Sequence, residues 1–132
     1  MKRRNISSGV PWESVVGYSR AVRIGPLIEV AGTTAIDADG RVVGPGDPYI
    51  QAKFILGKIG STLVQAGAGL ENVIRTRMFV TDIGRWEEVG RAHGEFFRDI
   101  RPASTLVQVA SLVRSDLLVE IEATAFAPED SL

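Results

Sequence analysis

Residues 117–126, LLVEIEATAF, alternate apolar and polar side chains as a half-buried β-strand does. Successive side chains of a strand point to opposite faces of its sheet, so the two sets can be separated by position alone. The apolar set is Val119, Ile121 and Ala123, and the opposite set is Glu120, Glu122 and Phe126. One sheet face is therefore expected to pack on a core, while the other needs a different cover.

Residues 73–81, VIRTRMFVT, repeat this two-faced pattern. On one side lie Arg75, Arg77 and Phe79, and on the other Thr76, Met78 and Val80. A face that combines arginine, glutamate and phenylalanine is too mixed for a dry core. We expect it to form a surface between subunits.

Two segments have apolar residues at helical spacing. The first begins at Pro48 with Asp47 as its N-cap and stops near Gly67, and the second begins at Trp86 and ends before Pro102. Their apolar positions are Ile50, Phe54, Leu56, Ile59, Leu63 and Val64, and Trp86, Val89, His93, Phe96 and Phe97. Each helix has one apolar stripe, which predicts that both pack on the same face of the sheet.

The remaining segments complete an α+β pattern. Residues 19–24 and 27–31 read as a hairpin, residues 32–47 as a loop with room for one minor strand, and residues 105–110 as a further strand. The element order ββ(β)αβαββ and the length predict one domain over residues 1–132.

Composition excludes several classes of function. The chain has no cysteine and one histidine, so a disulfide framework, a thiolate nucleophile and a cysteine or histidine metal cluster are excluded, and we expect no metal and no cofactor. A net charge of −1 makes nucleic acid an unlikely partner. No apolar stretch suggests a signal peptide or membrane span, so we expect a cytoplasmic location and no membrane partner.

Three side chains are candidates for chemistry, although no P-loop, dinucleotide fingerprint, HExxH motif or Ser-His-Asp order occurs. A half-buried Glu120 can orient water or accept a proton; the alternative is an ion pair with Arg75 or Arg77. His93 is either an acid or base, or a hydrogen-bonded core or interface residue. Tyr18 either lines a cleft or packs as a structural residue.

The run RPASTLVQVA at residues 101–110, followed by LVEIEA at 118–123, resembles the closing signature of the RidA/YjgF family, also called the endoribonuclease L-PSP or translation-inhibitor family. Further similarity lies in GYS at 17–19, VAG at 30–32, FVTD at 79–82 and GEFF at 94–97. The resemblance implies a chorismate-mutase-like (ferredoxin-like) sheet with two helices on one face. It also implies a homotrimer whose sheets form a barrel, with small-molecule clefts between subunits.

The resemblance also implies a changed site. In active members an arginine after the Pro-Ala pair holds the carboxylate of an imine or enamine, and here that position is Ser104, as in arginine-lacking subgroups of the family. Gly90 and His93 stand where active members have asparagine and tyrosine. The candidate ligand-binding residues are Tyr18, Gly32, Thr33, Arg77, Gly90, Ser104 and Leu106, and the candidate catalytic residues are Glu120 and His93.

Three functions follow from this reading. The first is a ligand-binding homotrimer that is not a standard 2-iminobutanoate/2-iminopropanoate deaminase. The second is a hydrolase or deaminase for another imine, enamine or related nitrogen compound, using Glu120 and His93. The third is an endoribonuclease or translation inhibitor, which the near-neutral charge does not favour. Arg77 either replaces the missing arginine from an adjacent strand or pairs with Glu120 or Glu122.

Overall fold

A computed structural model describes residues 1–129, and it contains a six-stranded sheet with two long helices packed on one face. The strands are β1 (Arg3–Ile6), β2 (Ala21–Ile24), β3 (Leu27–Thr34), β4 (Val73–Val80), β5 (Ala103–Gln108) and β6 (Val119–Phe126). The helices are α1 (Pro11–Val16), α2 (Pro48–Gln65) and α3 (Trp86–Phe97). The expected α+β fold is confirmed, and the last three residues of the expected domain lie outside the described residues.

The strand order is β1-β2-β3-β6-β4-β5. Neighbouring strands run antiparallel except β4 and β5, which are parallel and joined by α3 as their crossover connection. Strand β6 lies between β3 and β4, so Glu120 is opposite Thr34 on one side and Phe79 on the other.

The two faces of β4 and β6 are as the alternation predicts. Val119, Ile121 and Ala123 are buried, as are Thr76, Met78 and Val80. The largest buried side chains from the helices that cover this face are Ile55, Leu56, Ile59, Leu63 and Phe97. We call this side the helix face, and the side that carries Arg75, Arg77, Phe79, Glu120 and Glu122 the open face.

Helix α2 begins and ends at the predicted signals. The Asp47 carboxylate accepts a hydrogen bond from the Ile50 amide at 3.1 Å, and Gly67 has a φ of +81° just beyond the last turn. The predicted apolar stripe was wrong at Ile50 and Val64, which are 38% and 69% exposed. Gln51 is buried instead, because its side-chain amide has partners at the start of β6.

Those partners explain how a polar residue occupies a core position. The Gln51 Oε1 accepts from the Leu118 amide at 2.8 Å, and its Nε2 donates to the carbonyls of Gly44 and Asp116. With these bonds made, burial of the amide carries no unpaired polar group.

Several elements differ from the prediction. Strand β1 and helix α1 occupy residues 3–16, where the sequence predicted no element. Strand β1 pairs with β2, and only its Ile6 is buried. Strand β3 continues to Thr34 rather than stopping at residue 31, through a register shift against β6. Strand β5 runs two residues earlier than predicted, and β6 begins at Val119 rather than at residue 117.

Candidate functional site

The register shift in β3 places Gly32 against Glu120. Between Val30 and Thr33 the pairing with β6 slips, which is the signature of a β-bulge, and Gly32 lies inside it. A side chain at position 32 would collide with the Glu120 carboxylate. Glycine therefore leaves the space that this carboxylate occupies.

Arg20, which the sequence did not single out, joins Gly32 to two other candidate residues. Its Nη2 donates to the Gly32 carbonyl at 2.5 Å. Its guanidinium lies 5.8 Å from the centre of the Tyr18 ring, within cation–π range. Its charge also acts on Glu120. Through these contacts, Tyr18, Arg20, Gly32 and Glu120 lie near one another around the bulge.

Burial sets the electrostatics of Glu120. Desolvation of the half-buried carboxyl raises its pKa, the charge of Arg20 partly offsets this, and Glu122 raises it further. Within residues 1–129, Glu120 forms neither a hydrogen bond nor an ion pair, so the alternative of pairing with Arg75 or Arg77 is not realised. Its carboxyl therefore has no side-chain or backbone partner among the residues that the structure describes.

Arg77 is paired rather than directed at the bulge. Its Nη1 lies 3.7 Å from the Glu122 carboxylate and donates to Thr124 Oγ1 at 3.4 Å. Together with Tyr18 and Glu122 it lines a groove of about 580 Å³ on the open face. Arg77 was expected either to replace the missing arginine or to pair with an acidic neighbour. In the structure it pairs with Glu122.

A second group of candidate residues lies on the helix face, at the edge formed by β5. His93 Nε2 is 2.9 Å from Thr76 Oγ1, and the Thr76 hydroxyl donates to Ser104 Oγ at 2.8 Å. Burial lowers the pKa of His93, which also packs 4.7 Å from the Phe97 ring. Fully buried Thr76 therefore links the imidazole of α3 to the exposed hydroxyl of Ser104.

The three remaining candidates have simpler surroundings. Gly90 is half-buried on α3 beside the Trp86 ring, and Leu106 packs partly buried against the core. Thr33 is buried under the bulge, where its hydroxyl donates to the Ala31 carbonyl at 2.9 Å. The Thr33 side chain stabilises the bulge and does not face the space beside Glu120.

The strand register puts the two groups on opposite faces of the sheet. Phe79 is opposite Glu120, whereas Thr76, three residues earlier on β4, is opposite Ser104. Residues an odd number apart on one strand point to opposite faces. The structure brings Tyr18, Gly32 and Glu120 together, and His93 and Ser104 together, but it does not bring the two groups together within one chain.

Sequence reasoning missed Arg20 and Thr76 for different reasons. Alternation placed Thr76 on the buried face, but gave no sign that a hydroxyl there would connect two candidate residues. Arg20 precedes β2, and its approach to Gly32 depends on a bulge that the sequence does not reveal. The one available signal was an arginine two residues after Tyr18.

In residues 1–129, no three histidine, aspartate or glutamate side chains lie together in an arrangement that could hold a metal ion. Over the same residues, no helix has the length and apolar character that crossing a membrane requires.

This sheet, with two helices on one face and candidate residues on both, defines a chorismate-mutase-like α+β protein. The family model for Endoribonuclease L-PSP matches residues 10–127. The chain therefore belongs to this family, the RidA/YjgF family that its motifs indicate.

Relatives and solved structures agree with this assignment. An uncharacterized protein of Streptomyces coelicolor is 42% identical over 123 residues, covering 93% of this chain and 91% of that protein. A Mycobacterium tuberculosis protein of the YjgF/YER057c/UK114 family has a TM-score of 0.88 and 50% identity, covering 96% of this chain and 100% of that one. E. coli TdcF with bound serine has a TM-score of 0.77 and 25% identity, covering 93% of each chain.

Proposed function

We propose that this chain forms a cytoplasmic homotrimer that binds a small molecule in clefts between subunits and is not a standard 2-iminobutanoate/2-iminopropanoate deaminase. The observation that carries the proposal is the division of the candidate residues between the two faces of the sheet. A cleft that uses both groups needs the open face of one subunit and the β5 edge of another.

Ser104 supports the absence of the deaminase reaction. Serine carries no charge, and the hydroxyl of Ser104 is held in place by a hydrogen bond that it accepts from Thr76. A hydroxyl has neither the charge nor the two-pronged geometry with which an arginine holds a carboxylate. The substrate contact on which imine hydrolysis depends in active family members is therefore missing at this position.

The chemistry of the residues around the bulge supports one class of ligand. Tyr18 offers an aromatic wall, Gly32 exposes backbone, and Glu120 supplies a carboxyl, a set suited to a small polar molecule. The serine bound to E. coli TdcF supports a ligand of amino-acid size. We use L-serine as the first probe.

Ammonia release from amino-acid-derived imines, 2-aminoacrylate among them, tests this proposal directly. We expect none from the wild type, and we expect light scattering to give three times the chain mass of 14.2 kDa. Ser104→Arg restores the cation and is expected to gain activity, whereas Ser115→Arg, in the exposed loop before β6, serves as control. Robust release by the wild type, or a monomer in solution, would contradict the proposal.

A second candidate function is hydrolysis of another imine, enamine or related nitrogen compound. Burial moves the pKa of Glu120 up and that of His93 down, and Glu120 is left without a protein partner in residues 1–129. A carboxyl with a raised pKa can take up and return a proton near neutral pH. An activity of this kind should be lost in both Glu120→Ala and His93→Ala.

A further inference from the structure

The Arg20 side chain has unused hydrogen-bonding capacity in a half-buried position. Among the described residues, its only hydrogen bond goes to the Gly32 carbonyl, and its Nε is buried without a partner. No acidic side chain of residues 1–129 lies within ion-pair distance. Buried polar groups are almost always paired, so an unpaired guanidinium calls for a missing partner.

The charges around Arg20 favour an anion as that partner. Lys58 is close enough for the charge of Arg20 to add to the effect of burial in lowering the Lys58 pKa. The Lys58 ammonium is held by the carbonyls of Thr34 and Ile36, at 3.3 and 3.1 Å. Two neighbouring cations repel each other, and an anion beside them relieves the repulsion.

The acidic residues nearby act on Arg20 through their charge, but none of them forms an ion pair with it among residues 1–129. Glu13 is occupied by hydrogen bonds from Ser7 and Ser8. Glu120, whose carboxylate occupies the space next to Gly32, forms no ion pair with Arg20 among residues 1–129. Arg77, the other arginine of this face considered for the role, is already paired with Glu122.

We propose that Arg20 is the residue that recognises the negatively charged group of the ligand, a carboxylate, in the space beside Gly32 and Glu120. It takes the place of the cation that is absent at position 104. The carboxylate accepts from the free N–H groups of the guanidinium, and Glu120 accepts from the ligand's nitrogen or from water. This inference rests on the proposed function, since it concerns the same cleft.

Calorimetric titration of the full chain with L-serine and with L-serinamide, which lacks the carboxylate, tests the assignment. We expect the wild type to bind serine at least about tenfold more tightly than serinamide, as charge-assisted hydrogen bonds predict. Arg20→Gln keeps a donor for the Gly32 carbonyl but removes the charge, and should bind the two probes with similar affinity. Arg77→Gln removes a charge from the same face and should keep the preference for serine.

Arg20→Lys provides a second variant should Arg20→Gln fail to fold. It keeps a point charge without the planar fork, so its preference for serine should lie between those of the wild type and Arg20→Gln. An unchanged preference in either Arg20 variant overturns the assignment. Equal binding of both probes by the wild type overturns it while leaving the proposed cleft intact. Binding of neither probe overturns it together with the proposed class of ligand.

Discussion

Burial acts in opposite directions on Glu120 and His93, because it disfavours the charged form of each. It raises the pKa of the glutamate and lowers the pKa of the histidine, so the two pKa values move toward each other from their ordinary values of 4.5 and 6.5. Such a pair suits proton transfer, yet the two side chains lie on opposite faces of the sheet. In the proposed trimer, each would face a different subunit interface.

The depressed pKa of His93 predicts a pH dependence of stability. Below about pH 6.5 the unfolded chain protonates this histidine before the folded chain does, so the free energy of unfolding falls as the pH is lowered toward about 5. In His93→Gln this contribution is absent, and the fall should be smaller. Urea unfolding of both proteins at about pH 7 and pH 5 measures the difference.

Glu120 also contributes to the pH dependence of stability, but it is present in both proteins. Its contribution therefore cancels when the wild type is compared with His93→Gln. An equal loss of stability in the wild type and in His93→Gln would mean that the folded protein protonates His93 at its ordinary pKa. The Thr76 hydroxyl would then be accepting a hydrogen bond from a charged imidazole.

At the residue scale, the sequence allowed part of the site to be predicted. Alternation placed Glu120 on the open face, and helical spacing placed His93 on the buried side of α3; both positions are confirmed. The partners of these residues could not be predicted, since Glu122 rather than Glu120 pairs with Arg77. Which of two neighbouring acids meets an arginine depends on strand register.

At the scale of elements, Arg23 holds the end of α2 to the sheet. Its guanidinium is buried and donates to the carbonyls of Ala66 and Gly67 beyond the helix, of Gly25 in the β2–β3 turn, and of Ala127 and Pro128 after β6. Carbonyls at a helix C-terminus carry a partial negative charge that a cation stabilises. One side chain thus fastens three elements.

Replacing Arg23 by methionine should lower the free energy of unfolding by about 3 kcal/mol, because several buried carbonyls lose a charged donor. Arg4→Met is the matched control: Arg4 donates from an exposed position to the Gln65 carbonyl at the same helix end, and its loss should cost less than about 0.5 kcal/mol. Urea unfolding at neutral pH distinguishes them. Equal losses would show that the buried hydrogen bonds of Arg23 stabilise the fold no more than the exposed one of Arg4.

Elements with strong local signals were predicted well, and those without them were not. Helix α2 has an N-cap, a proline at its start and a glycine beyond its end, and each signal is used. Strand β1 reads RRNI, which buries one residue and owes its conformation to its pairing with β2. Long-range pairing of this kind leaves little trace in local sequence.

At the scale of the whole molecule, the open face should be the surface on which subunits meet. Val107, on β5, is opposite Phe79, points to this face and is 42% exposed. Val107→Asp should weaken assembly, since it places a charge where apolar surface is to be buried. Val64→Asp changes the same residue type on the exposed side of α2, where Val64 is 69% exposed, and should leave assembly intact.

Light scattering over a range of protein concentrations measures this effect as a change in mass. The Val107→Asp protein should lose mass on dilution at concentrations where the wild type and Val64→Asp proteins stay assembled. Loss of assembly in both variants would indicate a general effect of the added charge. No loss in either would place the subunit contact elsewhere.

The division of the site between two sheet faces has a genetic consequence. In the proposed trimer, each subunit contributes its open face to one cleft and its β5 edge to another. A cell that carries two damaged alleles, one altered at Glu120 and one at Ser104, would therefore still assemble some clefts in which both contributing faces are intact. Two recessive lesions in the same gene would complement each other, which a site contained within a single chain does not permit.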